Sequence, residues 1–202
     1  LAFEGERESK ISRKHRVIPE GRTGRIITIA GGKYTTYRTM AEDVVNEACK
    51  KLGKKALCVT QTTPLAGSLP AGLDEYVKET VPKLAERFGV EQATVRHLIH
   101  FYGSRTEKIL QYTGEDTRLA GPISPESMDI YAQVLYGIRE EGAKTISDIL
   151  LRRMHTGITA SRGEPQAPQI AGIMARELGW NAAEQDHWVE NFKEDLMKEK
   201  RF

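Results

Sequence analysis

The feature that most constrains the fold is a short apolar segment that runs into two adjacent glycines and a lysine. Arg25–Ala30 is rich in isoleucine, which is typical of a buried β-strand. Gly31 and Gly32 end this segment and allow backbone angles that other residues avoid. Met40–Leu52 then repeats apolar residues at steps of three and four, which predicts an amphipathic helix ended by Gly53. The sequence therefore predicts a strand, a tight turn and a helix in succession.

The start of this helix is open to two interpretations. Either Thr35 or Thr36 could cap it, whereas Thr39 with Glu42 matches the capping-box pattern slightly later in the chain. After the helix, a connector rich in glycine and proline leaves room for a short strand around Leu57–Val59.

The chain from residue 73 onward carries apolar residues at helical spacing. Pro82 should kink or split the first of these helices, and Ser104 should cap the third. Further helix-start patterns are Ser124-Pro125-Glu126, Thr145 with Asp148, and Asn181 with Glu184. The predicted helices are Leu73–Phe88, Glu91–Tyr102, Ser104–Tyr112, Met128–Arg139, Ile146–Met154, Ala167–Leu178 and Asn181–Lys200.

These patterns predict a mainly α fold in two unequal parts. Residues 1–53 hold the short β segment, the turn and a long helix, and residues 54–72 form a linker. Residues 73–202 form a compact all-helical domain, whose length is ordinary for a domain.

Composition excludes several classes of protein. The 202 residues carry 30 basic and 28 acidic side chains, so the net charge of +2 gives no reason to expect nucleic acid as a partner. No apolar run is long enough to span a bilayer, and the charged first sixteen residues do not form a signal peptide. A chain that begins at Leu1 is expected to be cut from a longer protein. Cys49 and Cys58 lack metal-type spacing and are expected to be free thiols in a reducing compartment.

The turn formed by Gly31, Gly32 and Lys33 (the glycine turn) is the best candidate for a catalytic or ligand-binding site. Lys33 adds a positive charge where the unpaired N–H groups of a helix start already attract anions, and Thr35 and Thr36 add hydroxyl groups. The pattern suits a phosphate or the edge of a reduced flavin. It is equally the pattern of an ordinary strand-to-helix turn with a capping threonine. Neither a P-loop nor a dinucleotide GxGxxG motif occurs in the chain.

The longer run IITIAGGKYTTYRTMAEDVV, which begins at Ile26, is similar to the signature that closes the FAD domain of membrane-associated glycerol-3-phosphate dehydrogenases. The segments ISRKH (Ile11–His15), LIHFYG (Leu98–Gly103) and AKTISDILLRR (Ala143–Arg153) also resemble that family. The resemblance implies that residues 1–53 are the C-terminal remnant of an FAD-binding and substrate domain. It also implies an enzyme that oxidises sn-glycerol 3-phosphate to dihydroxyacetone phosphate.

By the same resemblance, Lys33 is the catalytic residue and also contacts substrate. Gly31, Gly32, Lys33, Thr35 and Thr36 should line FAD. Arg13 should bind the substrate phosphate through its planar guanidinium, although it could instead be an exposed charge in a basic stretch.

The resemblance implies partners for the intact protein as well. Electrons should pass to the quinone pool, with the enzyme in the cytoplasm and peripheral to the inner membrane, and the family allows for a homodimer. Without its FAD domain, the fragment should neither retain FAD nor be active. One departure is that Arg152-Arg153-Met154-His155 stands where the family often has RRTR, which puts any anion contact by His155 in doubt.

Two other functions remain open. A glycerol-3-phosphate oxidase that uses oxygen would share the flavin turn, and a non-catalytic helical module could serve docking or dimerisation. His97 and His100 stand at a metal-ligand spacing, but nothing near them in the sequence supports a metal, and none is expected.

Overall fold

The glycine turn follows the second strand of a small β-hairpin. The computed structural model describes residues 14–21, 25–70 and 72–199. Strand β1 (Arg16–Glu20) pairs antiparallel with β2 (Ile26–Ala30), so that Arg16 lies opposite Ala30. The predicted strand is thus confirmed, although its burial is not, because Ile26 is 64% exposed. Strand β1 was not predicted, since Pro19 and charged side chains hide its pairing potential.

Helix α1 (Tyr37–Lys51) begins after a 3₁₀ turn over Tyr34–Thr36. Thr36 therefore stands at the N-cap position, and the alternative capping box at Thr39 and Glu42 is wrong because both residues lie inside α1. Residues 57–59 form no strand.

The described residues from 73 to 199 form mainly helices, as predicted. Between these helices lie short 3₁₀ turns. The helices are α2 (Leu73–Phe88), α3 (Gln92–Tyr102), α4 (Thr106–Gln111), α5 (Ala132–Arg139), α6 (Ile146–Leu150), α7 (Ala167–Leu178) and α8 (Ala182–Glu199).

Two predicted helix starts are wrong because local turns take their place. Ser104 lies inside a 3₁₀ turn, and α4 begins two residues later. The hydroxyl of Ser124 accepts a hydrogen bond from the backbone N–H of Glu126 at 3.1 Å, which closes a turn instead of capping a helix. Helix α5 begins only at Ala132, after Pro122 and Ile130 have formed an isolated β-bridge.

The effect predicted for Pro82 and the predicted end at Met154 also differ from the structure. Pro82 does not split α2, which continues to Phe88 because Val81 and Leu84 bury one face of the helix on both sides of the proline. The helix predicted to reach Met154 ends at Leu150.

The two downstream capping boxes are confirmed. The backbone N–H of Asp148 donates to the hydroxyl of Thr145 at 3.0 Å, and the N–H of Thr145 donates to the Asp148 carboxylate at 3.1 Å. Asn181 and Glu184 make the same reciprocal bonds before α8, at 3.0 and 2.8 Å. Each box satisfies N–H groups that a helix start leaves without partners.

The chain divides into two compact units, Leu1–Leu65 and Ala66–Phe202. The buried apolar core belongs to the second unit, and six of its helices supply most of the fully buried side chains. Among these are Val95, Leu98, Ile109, Leu110, Val134, Ile149, Leu150, Ile170, Met174 and Phe192. By contrast, helix α1 of the first unit has no buried residue.

The backbone at Gly67 lies directly against the backbone at Gly103 and fixes the start of the helical unit. The N–H of Ser104 donates to the carbonyl oxygen of Gly67 at 3.1 Å, and a Cβ on Gly103 would overlap that same oxygen. Gly103 also has a φ of +53°, which strains any other residue. We therefore expect Gly103→Ala to lower the free energy of unfolding by about 3 kcal/mol.

The control for this prediction is Gly114→Ala, because an added Cβ there meets no atom within 4 Å. Urea unfolding of both variants, followed by circular dichroism, makes the comparison. Equal stability of the two variants would contradict this close contact between the two backbones.

Candidate functional site

The glycine turn is shaped by contacts within the first unit. Gly31 and Gly32 have φ values of +79° and +90°, which confirms that the turn needs glycine. A Cβ added to Gly31 would lie 2.9 Å from the carbonyl oxygen of Lys14, and one added to Gly32 would lie 2.6 Å from Sδ of Met40 and 3.2 Å from Cβ of His15. The missing side chains thus make room for the protein's own atoms. The prediction that Gly31 and Gly32 line FAD gains no support from this packing.

Lys33 follows the glycines with its backbone fixed and its side chain exposed. Its carbonyl oxygen accepts hydrogen bonds from the backbone N–H of Thr36 at 3.0 Å and from the Thr36 hydroxyl at 2.9 Å. No acidic residue lies in the first turn of the 3₁₀ segment or of α1, and no carboxylate among the described residues pairs with the Lys33 amine. Lys33 and the exposed Thr35 therefore present donors and positive charge to solvent.

Two tyrosines flank this group and were missed by the sequence analysis. Tyr34 is 90% exposed and Tyr37 is 56% exposed, and their ring centroids lie 6.0 Å apart. The spacing of three residues, which places side chains on one face of a helical turn, was the signal that could have found them. Together with Lys33 they form a cationic and aromatic surface that suits a planar anionic ligand.

The structure brings five of the six predicted site residues into this one turn. The sixth, Arg13, lies outside the described residues. A residue pair that the sequence did not reveal lies beside the turn, where Nε2 of His15 is 2.6 Å from the carboxylate of Asp43.

A second polar cluster lies buried in the helical unit and centres on Asp129, whose side chain is fully buried. One carboxylate oxygen receives the Thr156 backbone N–H at 2.6 Å and the Thr156 hydroxyl at 2.7 Å. The other oxygen lies 2.8 Å from Nε2 of His97 and 3.2 Å from the side-chain amide of Gln133. The cluster therefore links α3, the start of α5 and the 3₁₀ turn at residues 155–158.

Burial alone would raise the pKa of Asp129, because a charged carboxylate loses its hydration. The hydrogen bonds from His97, Thr156 and Gln133 outweigh this effect, so the pKa of Asp129 lies below its usual value. The carboxylate is thus held ionised, and the described residues that contact it belong to the helical unit. This arrangement stabilises the fold.

The remaining candidates have structural roles. Among the described residues, no group of three or more potential ligands is placed to hold a metal ion. Arg152 pairs with Asp148 at 3.1 Å, and Arg153 pairs with Glu141 at 3.0 Å. The ring of His155 lies edge-on to that of His97, with 6.0 Å between centroids.

Comparison with known proteins identifies the helical part of the chain. Residues 58–185 match the family model described as the C-terminal domain of alpha-glycerophosphate oxidase. The chain belongs to this family. The match spans α2 to α7 and the connector before them, and it leaves the glycine turn outside.

Relatives extend the similarity to the first unit. The chain is 35% identical over 199 residues to glycerol-3-phosphate dehydrogenase 2 of Mycobacterium tuberculosis, covering 95% of this chain and 32% of the relative. It is 31% identical over 193 residues to the human mitochondrial glycerol-3-phosphate dehydrogenase, covering 94% of this chain and 26% of the relative. The chain thus spans about a third or less of the length of these relatives.

A solved structure shows the same fold. The crystal structure of the glycerol-3-phosphate dehydrogenase from Bacillus halodurans, complexed with FAD, matches with a TM-score of 0.71 at 28% identity. The match covers 84% of this chain and 35% of that chain.

Over the described residues, no helix combines the length and apolar character needed to cross a membrane.

Proposed function

We propose that this chain is the C-terminal part of an FAD-dependent sn-glycerol-3-phosphate dehydrogenase. The observation that carries the proposal is the exposed Lys33 amine, set at a helix start directly after two glycines with positive φ. Relatives named glycerol-3-phosphate dehydrogenase match 94–95% of the chain, and the similar Bacillus halodurans structure holds FAD. The reaction converts the secondary alcohol of glycerol 3-phosphate to the ketone of dihydroxyacetone phosphate, with loss of a hydride and a proton.

The residues at the turn fit a flavin of this kind. Bound FAD would supply the acceptor for the hydride. Lys33, Thr35 and the N–H groups of the helix start would stabilise negative charge on the ligand, because no acidic side chain lies in the first turn to oppose it. Gly31 and Gly32 would contribute backbone to the same surface, and Thr36 would hold the Lys33 backbone in place.

We assign substrate binding to two cationic residues. The Lys33 amine would contact the reacting end of glycerol 3-phosphate, while Arg13 would bind its phosphate. The support for Lys33 is its exposure beside the turn, and the support for Arg13 is the resemblance of the ISRKH segment.

The first unit presents apolar side chains that a complete flavin domain would cover. A groove of about 510 Å³ runs between α1 and residues 56–65. Its lining includes Val45, Leu57, Val59 and Leu65, which are 57–94% exposed. Such clustered exposure supports the proposal that residues 1–53 belong to an FAD domain supplied by the same polypeptide. We further propose that residues 54–72 link the domains and that residues 73–202 form the helical domain.

For the electron acceptor we propose the quinone pool, with the enzyme in the cytoplasm and peripheral to the inner membrane. Oxygen is the second candidate, because the matching family model is named for an oxidase. The complete gene product should therefore be assayed with sn-glycerol 3-phosphate and a short-chain quinone, and again with oxygen alone. Faster turnover with quinone supports the dehydrogenase, whereas stoichiometric hydrogen peroxide formation without quinone supports the oxidase.

The 202-residue chain expressed alone should purify without FAD and without activity. The physical reason is that the turn offers one edge of contact, whereas a tightly held cofactor is buried over most of its surface. Absorption spectra of the isolated chain and of the complete gene product test this expectation side by side. A stoichiometric flavin spectrum in the isolated chain would contradict it.

A further inference from the structure

His15 and Asp43 form a pair that joins the hairpin to α1 across the glycine turn. His15 precedes β1, and Asp43 lies near the end of the second turn of α1, 28 residues later. The distance between Nε2 of His15 and Oδ2 of Asp43 is 2.6 Å, and the side chains are 20% and 47% exposed. The carboxylate fixes the orientation of the imidazole, since Nε2 donates its proton to Oδ2.

The same histidine packs directly on both glycines. The Cβ that Gly31 lacks would lie 3.7 Å from Cα of His15, and the one that Gly32 lacks would lie 3.2 Å from Cβ of His15. Met40, one turn before Asp43 on α1, also lies against Gly32, because the missing Cβ would be 2.6 Å from its Sδ. The turn therefore contacts the residue before β1 and a residue of α1, and the His15–Asp43 pair joins these two contacts.

Lys33 follows Gly32 in the sequence, and Thr36, the residue before α1, holds its backbone through a hydrogen bond. The hydroxyl of Thr36 donates to the Lys33 carbonyl oxygen at 2.9 Å. From the strand side, the Lys33 backbone depends on the conformation of Gly31 and Gly32, for which His15 supplies a contact surface. A shift of His15 would therefore change the direction in which the Lys33 side chain points.

We propose that His15 and Asp43 are positioning residues that hold Lys33 in its working direction. The proposal rests on the function proposed above, in which Lys33 acts on flavin and substrate. Neither His15 nor Asp43 needs to touch either ligand. Because the pair is partly exposed, its own contribution to stability is small, so its removal should misdirect Lys33 without unfolding the unit.

The test uses the complete gene product and the variants His15→Ala, Asp43→Asn and His15→Gln. We expect His15→Ala and Asp43→Asn to lower kcat/KM about tenfold and to make the midpoint potential of the flavin more negative, because a displaced Lys33 stabilises reduced flavin less. His15→Gln keeps a donor that can reach Asp43 and should recover part of the loss. The matched control is Glu47→Gln, which removes another acid of α1 that pairs with Lys51 at 3.9 Å but does not contact the turn.

A double-mutant cycle separates positioning from direct action. In a Lys33→Ala background, Asp43→Asn should cause no further loss of kcat/KM, since the residue it positions is already gone. Full additivity of the two losses would overturn the proposal. So would kinetics and a potential for Asp43→Asn that match those of Glu47→Gln.

Hydrogen exchange of the same protein preparations tests whether the His15–Asp43 pair holds the glycine turn. This measurement does not depend on bound flavin. The backbone amides of residues 31–33 should exchange faster in Asp43→Asn than in Glu47→Gln, because the turn opens more often. If the wild-type gene product binds no flavin, the proposed function fails, and unchanged exchange in Asp43→Asn would overturn the positioning role separately.

Discussion

Replacing Asp129 with alanine should lower the free energy of unfolding of the helical unit by about 3–5 kcal/mol. The buried carboxylate accepts hydrogen bonds from the Thr156 backbone, the Thr156 hydroxyl, His97 and Gln133. Its removal takes an acceptor from each of these donors, and a buried donor left unsatisfied, such as the Thr156 backbone N–H, costs about 1–3 kcal/mol. The loss would be a large part of the stability of a domain of this size.

Urea unfolding followed by tryptophan fluorescence measures this effect cleanly. Both tryptophans of the chain, Trp180 and Trp188, belong to the helical unit and stack with 5.6 Å between their ring centroids. The control is Asp186→Ala, because Asp186 is exposed on α8 and should change stability by less than about 0.5 kcal/mol. A similar small change in Asp129→Ala would contradict the assignment of Asp129 as the centre of the cluster.

The same carboxylate should make stability depend on pH. The pKa of Asp129 is lowered in the folded protein, so its contribution is complete above the unfolded pKa of about 4 and is lost as pH falls through the folded pKa. Wild type should therefore lose stability below about pH 4 more steeply than Asp129→Asn, which has no charge to lose. Parallel stability curves for the two proteins between neutral and acidic pH would exclude this contribution.

Replacing Lys33 with alanine in the complete gene product should lower kcat/KM for glycerol 3-phosphate on the order of a hundredfold. The amine is an exposed cation at the glycine turn, and the first turn of α1 carries no acid that could neutralise it. Loss of the charge removes stabilisation of negative charge on reduced flavin and weakens substrate binding, so kcat should fall and KM should rise.

Steady-state kinetics with glycerol 3-phosphate test this expectation. Lys33→Arg should retain more activity than Lys33→Ala because it keeps the charge, although its fork differs in shape. Lys50→Ala is the control, since Lys50 is exposed in the last turn of α1. Kinetics of Lys33→Ala close to those of Lys50→Ala would remove Lys33 from the site.

The elements that the sequence predicts well are those whose signals are local. Helices α2 and α7 have the predicted bounds because each combines an apolar face with a glycine stop, at Gly89 and Gly179. The caps at Thr145 and Asn181 were found because both partners lie three residues apart.

Errors arose where tertiary contacts override a local pattern. Ser124 starts a turn instead of a helix, because residues 122–130 form a bridged loop that carries Asp129 to its partners. Strand β1 was missed since its pairing with β2, and not its composition, makes it a strand.

In the candidate site, too, local features could be predicted from the sequence, whereas tertiary contacts could not. The need for glycine at positions 31 and 32 could be predicted, because positive φ follows from a tight turn. The atoms that fill the space above them belong to Lys14, His15 and Met40, and no local pattern reveals such packing. Likewise, two partners of Asp129, Thr156 and His97, lie 27 and 32 residues away, beyond the reach of spacing rules.

The most direct test of the central claim is anaerobic reduction of the complete gene product by substrate. The purified protein should be yellow, and sn-glycerol 3-phosphate added without oxygen should bleach the oxidised flavin band with formation of one dihydroxyacetone phosphate per flavin. The Lys33→Ala variant should bleach much more slowly at the same substrate concentration. A flavin that stays oxidised in the wild-type protein with excess glycerol 3-phosphate, or a gene product that holds no flavin, would contradict the proposed function.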